Sequence, residues 1–138
     1  GDWSSDVCSS DLVVRQAITK LLSLQLVSQW TASRAAAARA LGRTPGAEGS
    51  VGKLASSEIS RMASRVHSLI GGADCLLSGS DAPLDGVITE VLLSTPGQSL
   101  AGGTDEIQKN ILGEKMLGLP REPAPDFGLA FRQTKRNG

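Results

Sequence analysis

The run Gly102-Gly103-Thr104-Asp105-Glu106 has the residue types needed to hold an anion or a polarised carbonyl without a dedicated charged side chain. Neither glycine carries a Cβ, so a ligand can come close to the backbone there. Thr104 suits a helix N-cap, accepting a hydrogen bond from an amide two or three residues on, and Asp105 and Glu106 fall in the first turn, where the helix dipole favours negative charge. Unpaired N–H groups at such a helix start point outward and attract oxygen. Ile107, Ile111, Leu112 and Met116 then share one side, and Gly118 and Pro120 supply a stop, which predicts a helix from Thr104 to about Leu117.

Two other residues invite a chemical role. His67 lies beside an apolar stripe near a helix end, where an imidazolium would suit the dipole, but it has no partnered acid or nucleophile at a recognisable spacing. Cys75 has no metal-ligand companion and reads as a small apolar filler. No metal site is expected.

The elements that must position these residues are helical. Val14, Ile18, Leu21, Leu22, Gln25, Leu26, Trp30, Ala37 and Leu41 recur at three- and four-residue steps, which predicts one long helix over 13–41, ended by Gly42 and Pro45. That helix is apolar around most of its circumference, so cover on more than one side is expected. Arg34, Arg39 and Arg43 read as a solvated basic face. A second helix, from about Ser50 to Ile70, carries an amphipathic stripe of Val51, Leu54, Ala55, Ile59, Met62, Ala63, Val66, Leu69 and Ile70. Lys53, Glu58, Arg61 and Arg65 lie off the stripe, with Glu58 placed for weak surface pairs. Gly71-Gly72-Ala73-Asp74 breaks it. Ser78 to Pro83 reads as a polar connector. Leu84, Val87, Ile88, Val91 and Leu92 mark a short third helix closed by Pro96 and Gly97. Beyond Pro120 the composition turns to proline, glycine and charge, so 121–138 is expected to be a mobile tail with Phe127, Leu129 and Phe131 as anchors and a solvated basic end from Arg132 to Arg136.

The first twelve residues resemble a translated sequencing-library adapter and are set aside from fold reasoning. Residues 13–120 then form a single helical domain, which the sequence enters in mid-course. Without the first twelve, 14 basic residues face 11 acidic ones, a net charge of +3. That is too weak and too scattered to argue for nucleic acid. Cys75 is left alone, as fits a reducing cytosol, and a cytoplasmic location is expected. No apolar run approaches the length of about eighteen residues that spans a bilayer. With two phenylalanines and no tyrosine, the core must come from Leu, Ile, Val, Ala and Met.

The run Gly102-Gly103-Thr104-Asp105-Glu106-Ile107-Gln108-Lys109-Asn110-Ile111, continuing through Gly113-Glu114-Lys115-Met116-Leu117-Gly118-Leu119-Pro120-Arg121-Glu122-Pro123, closely resembles the C-terminal signature of the FAD-dependent acyl-CoA dehydrogenases. The resemblance implies an all-α, up-and-down bundle of about four helices whose first helix, together with the N-terminal helical domain and the β-domain, is missing. It implies an oxidoreductase of lipid metabolism that takes a proton from the acyl α-carbon with a carboxylate base while a hydride leaves the β-carbon for flavin. FAD is the implied cofactor and an acyl-CoA the substrate. An electron-transfer flavoprotein or similar acceptor and a homo- or hetero-oligomeric assembly are the implied partners.

Residue by residue, the Gly102 backbone N–H matches the donor that polarises the thioester carbonyl, and Gly103 lines the same spot. Thr104, Asp105 and Glu106 match the stretch that touches flavin. The base in many family members precedes Gly-Thr; here that position is Gly102, so the base is on a missing segment, in a partner subunit, or absent. The family's Gln-x-x-Gly-Gly-x-Gly loop, which touches the FAD diphosphate of a neighbouring subunit, keeps only Gly71 and Gly72; the resemblance implies that these two are cofactor-binding, as backbone donors across a subunit interface, and they also read as a plain helix stop. The arginine-rich segment of many relatives is absent from Val91–Pro96. Three readings stand: part of an enzyme that is inactive alone, a non-catalytic partner subunit of a heteromeric dehydrogenase, and a freestanding helical interaction module.

Overall fold

The computed structural model describes residues 11–121, 123 and 128–134. Its order is α1 (Leu12–Ala40), α2 (Glu48–Gly71), three short 3-10 turns (Gly72–Leu76, Gly79–Asp81 and Pro83–Gly86), α3 (Val87–Leu100), α4 (Asp105–Met116) and a last 3-10 turn at Phe131–Gln133. No strand occurs among the described residues. The all-helical expectation holds.

Asp11 caps α1 by accepting the Val13 amide at 2.7 Å, so the helix starts one residue inside the segment set aside as adapter. The remainder of that segment, 1–10, lies outside the described residues. The positions of α1 with low exposure are Val14, Ala17, Ile18, Leu21, Leu24, Ser28, Thr31, Ala35 and Ala38. Apart from Ile18 they alternate three- and four-residue steps, the seam of a two-helix coil. The seam rests on α2, which runs back along it. Val13 and Ala17 share a cleft with Met62 and Leu69, whereas Leu24 and Ala35 share another with Val51 and Ala55. Leu22, Leu26, Val27 and Trp30 lie off the seam and stay exposed; the second covering expected for α1 is not supplied by the described residues.

α2 is the hub, packed against α1, α3 and α4. Its stripe is half-buried or buried from Val51 to Val66, while Leu69 and Ile70 are exposed. The fully buried apolar residues are Val14, Ala17, Ala35, Ala47, Val66, Cys75 and Ala82. Of the residue types expected in the core, Val and Ala supply it, and no Leu, Ile or Met is among them. Helices that meet through small side chains approach closely, and their larger apolar groups are left at the rims.

The third helix also departs from expectation. Leu84 lies outside it, in a left-handed turn with φ 53° at both Leu84 and Asp85 and φ 84° at Gly86. At the other end, Pro96 does not close the helix, which continues to Leu100. A proline inside a helix forfeits one backbone bond and costs about 3 kcal/mol. Two local features offset this: Thr95 Oγ1 donates to the Val91 carbonyl at 2.8 Å, and side chains of α2 bind the last turn of α3. The polar connector, Ser78 to Pro83, contains the Gly79–Asp81 turn and the first residue of the Pro83–Gly86 turn; the turn before it is tied to α3 by Thr89, whose hydroxyl donates to the Cys75 carbonyl at 2.6 Å.

Of the tail, Leu129 is exposed and Arg132 lies in the final 3-10 turn. Phe127, the Phe131 side chain, Lys135 and Arg136 lie outside the described residues.

Candidate functional site

α3 ends at Leu100 and α4 begins at Asp105, so the glycine pair sits in a connection of four residues. Gly102 and Gly103 have φ of 66° and 91°, conformations open to glycine and costly to other residues. Thr104 is the N-cap, its Oγ1 accepting the Ile107 amide at 3.3 Å. Both glycines are exposed; the Gly102 N–H has no hydrogen-bond partner among the described residues, whereas the turn at Gly102 sets the Gly103 N–H toward the last carbonyls of α3. The Gly102 carbonyl is spoken for: buried Gln108 donates to it through Nε2 at 2.9 Å.

Asp105 does something the sequence did not announce. It is buried, with 6% of its surface exposed, and each carboxylate oxygen meets a cation of α2. Lys53 Nζ lies 2.6 Å from one oxygen and Arg61 Nη1 2.9 Å from the other. These two donors, Lys53 first, hold the Asp105 carboxyl well below the usual carboxylate range. Arg61 is held more firmly protonated, by Glu58 first and then by Asp105. The same edge of α2 also grips the end of α3. Lys53 Nζ donates to the Ser99 carbonyl at 3.1 Å, Ser57 Oγ to the Gln98 carbonyl at 3.1 Å, and Arg61 Nη1 to Ser99 Oγ at 2.6 Å. Lys53, Ser57 and Arg61 recur every four residues, so they stand in one row along α2. The sequence placed Lys53 and Arg61 off the apolar stripe; only the four-residue steps from Lys53 through Ser57 to Arg61 hinted at a shared task.

Glu106 is exposed. Its carboxyl is held below its ordinary value by its own backbone N–H first and then by the Thr104 side chain. Thr104 directly follows the glycine pair, whereas the Asp105 side chain turns inward.

Gly71 and Gly72 lie elsewhere. Gly71 is the last residue of α2, and the Gly72 N–H is spent on the Ser68 carbonyl. A Cβ at Gly71 would collide with Cys75 Sγ, so this glycine serves packing. At a rise of about 1.5 Å per residue, Gly72 stands some 16 Å along the axis of α2 from Arg61. His67 is exposed, and its carbonyl accepts the Cys75 thiol at 3.3 Å. Cys75 is the buried filler its sequence context suggested. An apolar cleft of about 260 Å³ between α1 and α2 is lined by none of residues 102–106. No cluster of His, Cys, Asp and Glu able to hold a metal occurs among the described residues, and no described helix is long and apolar enough to cross a membrane.

Comparisons with known proteins agree with the all-helical fold. The family model for the acyl-CoA dehydrogenase C-terminal domain matches residues 7–117, entering just inside the segment resembling an adapter. No curated protein matches. The chain is similar in fold to one in the crystal structure of the ChsE4-ChsE5 complex from Mycobacterium tuberculosis, with a TM-score of 0.72 and 24% identity. That similarity covers 83% of this chain and 30% of the solved one, so the present chain spans under a third of its neighbour's length. With a family match over most of its residues, the chain belongs to the acyl-CoA dehydrogenase C-terminal domain family.

Proposed function

We propose that this chain is the C-terminal part of an FAD-dependent acyl-CoA dehydrogenase, and that its Gly102–Glu106 segment serves thioester and flavin. The observation that carries the proposal is the unpartnered, exposed amide at Gly102 beside a capped helix start. Such a donor suits the developing negative charge of a thioester oxygen when its α-proton is removed. Thr104 keeps lone pairs and a hydroxyl proton available after capping, and the Glu106 carboxylate lies next to it. These groups fit the edge of a flavin and an acyl oxygen together. FAD, when bound, takes the hydride from the β-carbon. The chain's own part is to orient and polarise. Asp105 enters through its backbone, since its side chain is engaged with Lys53 and Arg61. The Gly71–Gly72 pair is assigned a steric part against the cofactor of a neighbouring subunit, its Gly72 amide being already bonded.

Gly102 occupies the position of the base in many family members and has no side chain to offer. The base and the remaining walls of the site therefore come from residues outside these 138. A second reading, a non-catalytic subunit of a heteromeric dehydrogenase, draws on the same glycine and on the heteromeric complex named for the solved neighbour.

The test is a titration of the ¹⁵N-labelled chain with butyryl-CoA at millimolar concentration. Selective shifts of the Gly102 and Gly103 amides are expected. Their indifference, with shifts elsewhere or none, would overturn the assignment. Tight stoichiometric binding of FAD by the chain alone would overturn the claim that the site is completed from outside. The upstream gene sequence separates the two readings: a suitably placed acid there favours the catalytic chain, and its absence favours the partner.

A further inference from the structure

We propose that Lys53 is the positioning residue of the glycine loop: by tying Ser99 to Asp105 across the connection, it holds in place the segment that carries the free Gly102 amide. The inference rests on the ligand-binding role proposed above for its purpose, and on the contacts around the loop for its substance.

A glycine pair has no strong conformational preference of its own, so a connection containing Gly102 and Gly103 keeps one shape only if its ends are held. The end before the glycines is Ser99, in the last turn of α3; the end after them is Asp105, the first residue of α4. A single ammonium joins the two. Lys53 Nζ lies 3.1 Å from the Ser99 carbonyl oxygen and 2.6 Å from Asp105 Oδ1. Lysine has three donors and no fixed fork, so one donor can serve each acceptor. The turn at Gly102 sets the Gly103 N–H toward the last carbonyls of α3, so Lys53 grips the same helix end on which that turn closes. Gln108 holds the Gly102 carbonyl, and the Gly102 N–H is left without a partner among the described residues.

Arg61 bridges the same two residues, from Ser99 Oγ at 2.6 Å to Asp105 Oδ2 at 2.9 Å, yet the two cations are not equals. The Lys53 side chain is 17% exposed and that of Arg61 44%. Arg61 also gives Nε and Nη2 to Glu58, whereas Lys53 has no acceptor besides Ser99 and Asp105 among the described residues. A pair shielded from water is screened less, and exposed pairs contribute little. Lys53 therefore carries most of the restraint, with Arg61 in support. The strap has a second effect. An unpaired carboxylate in the first turn is drawn to the free amides of its own helix start, where it would compete with an incoming oxygen. Lys53 draws Asp105 toward α2 instead.

The test measures ¹⁵N relaxation order parameters in the 138-residue chain without ligand and in Lys53→Met, which keeps most of the stem and removes the charge. In Lys53→Met the amides of residues 101–104 should fall from about 0.85, the rigid range, to below about 0.6, while helical amides hold their values. Arg61→Met should produce a smaller fall, and Lys53→Arg, which restores a cation, should recover most of the order. An ordered loop in Lys53→Met would overturn the proposal. So would a larger fall in Arg61→Met, or no recovery in Lys53→Arg. An equal loss across all four helices would overturn it too, making Lys53 a support of the fold rather than of the loop. Should Lys53→Met fail to fold, Lys53→Gln, which keeps a donor and loses the charge, is judged by the same values. None of these readouts needs flavin or acyl-CoA, so a failed butyryl-CoA titration would count against the function proposed above and leave the part played by Lys53 to be decided separately.

Discussion

α2 meets its neighbours in two different ways. Toward α1 it presents a seam in which small side chains such as Ala17, Ser28 and Ala35 let the helices close, and no side-chain hydrogen bond or ion pair crosses that seam among the described residues. The α1 hydroxyls instead bond within their own helix, as Thr31 does to the Val27 carbonyl at 2.8 Å. Toward α3 and α4 it presents Lys53, Ser57 and Arg61, and each reaches an acceptor across the interface. Dispersion is non-directional and tolerates sliding, whereas a hydrogen bond fixes register. The lesson is that one helix can give adhesion on one face and alignment on the other, and that the glycine loop lies on the side where alignment is supplied.

The comparison can be broken or sharpened by substitution. The largest effect is expected from Asp105→Asn, which strips two cations of their carboxylate at once. Its signature is in pH. The folded-state pKa of Asp105 is depressed, so its contribution is present above the unfolded value of about 4 and is lost as pH falls below it. Denaturant midpoints should drop with acid in the parent chain, and Asp105→Asn should flatten that acid limb; parallel curves would refute the claim. Next, Gly71→Ala forces a methyl against Cys75 Sγ and should cost about 2–3 kcal/mol by chemical denaturation, with Cys75→Ala in the same chain restoring part of the loss. Ser57→Ala removes the buried hydroxyl that donates to the Gln98 carbonyl and should cost about 1 kcal/mol. Thr104→Ala removes the α4 cap for about 1 kcal/mol and should raise amide exchange in the first turn of α4. The smallest effect is expected on the other face: Thr31→Val, losing only an intrahelical bond, should stay within about 0.5 kcal/mol. A Thr31 loss equal to that of Ser57 would erase the distinction between the two faces.

Much of the fold was legible from residues close in sequence. Thr104, with acids behind it and Gly118 ahead, delimited α4, and the apolar period from Val51 to Val66 delimited most of α2. These are signals that a helix writes into its own segment. Pro96 misled for the same reason: local chemistry says stop, and what carries α3 onward is a grip from α2 about forty residues earlier in the chain. Asp105 was legible as a first-turn acid but not as the centre of an ion-pair group, because Lys53 and Arg61 lie 52 and 44 residues away. Of the expected core types Leu, Ile, Val, Ala and Met, only Val and Ala are among the buried residues, on similar grounds. Composition tells which residues prefer burial, whereas the approach distance of two helices decides which are reached. At the site, glycine spacing and cap chemistry located the loop, but the bond from Gln108 to the Gly102 carbonyl could be read only in three dimensions.

The packing of Cys75 against Gly71 has a practical corollary. The thiol is 2% exposed and donates to the His67 carbonyl, so a bulky alkylating reagent can reach it only when the turn after α2 lifts away. The labelling rate of Cys75 in the native protein is therefore a clock for that single local opening. Mass spectrometry can read it peptide by peptide, without a fluorophore and without perturbing the glycine loop.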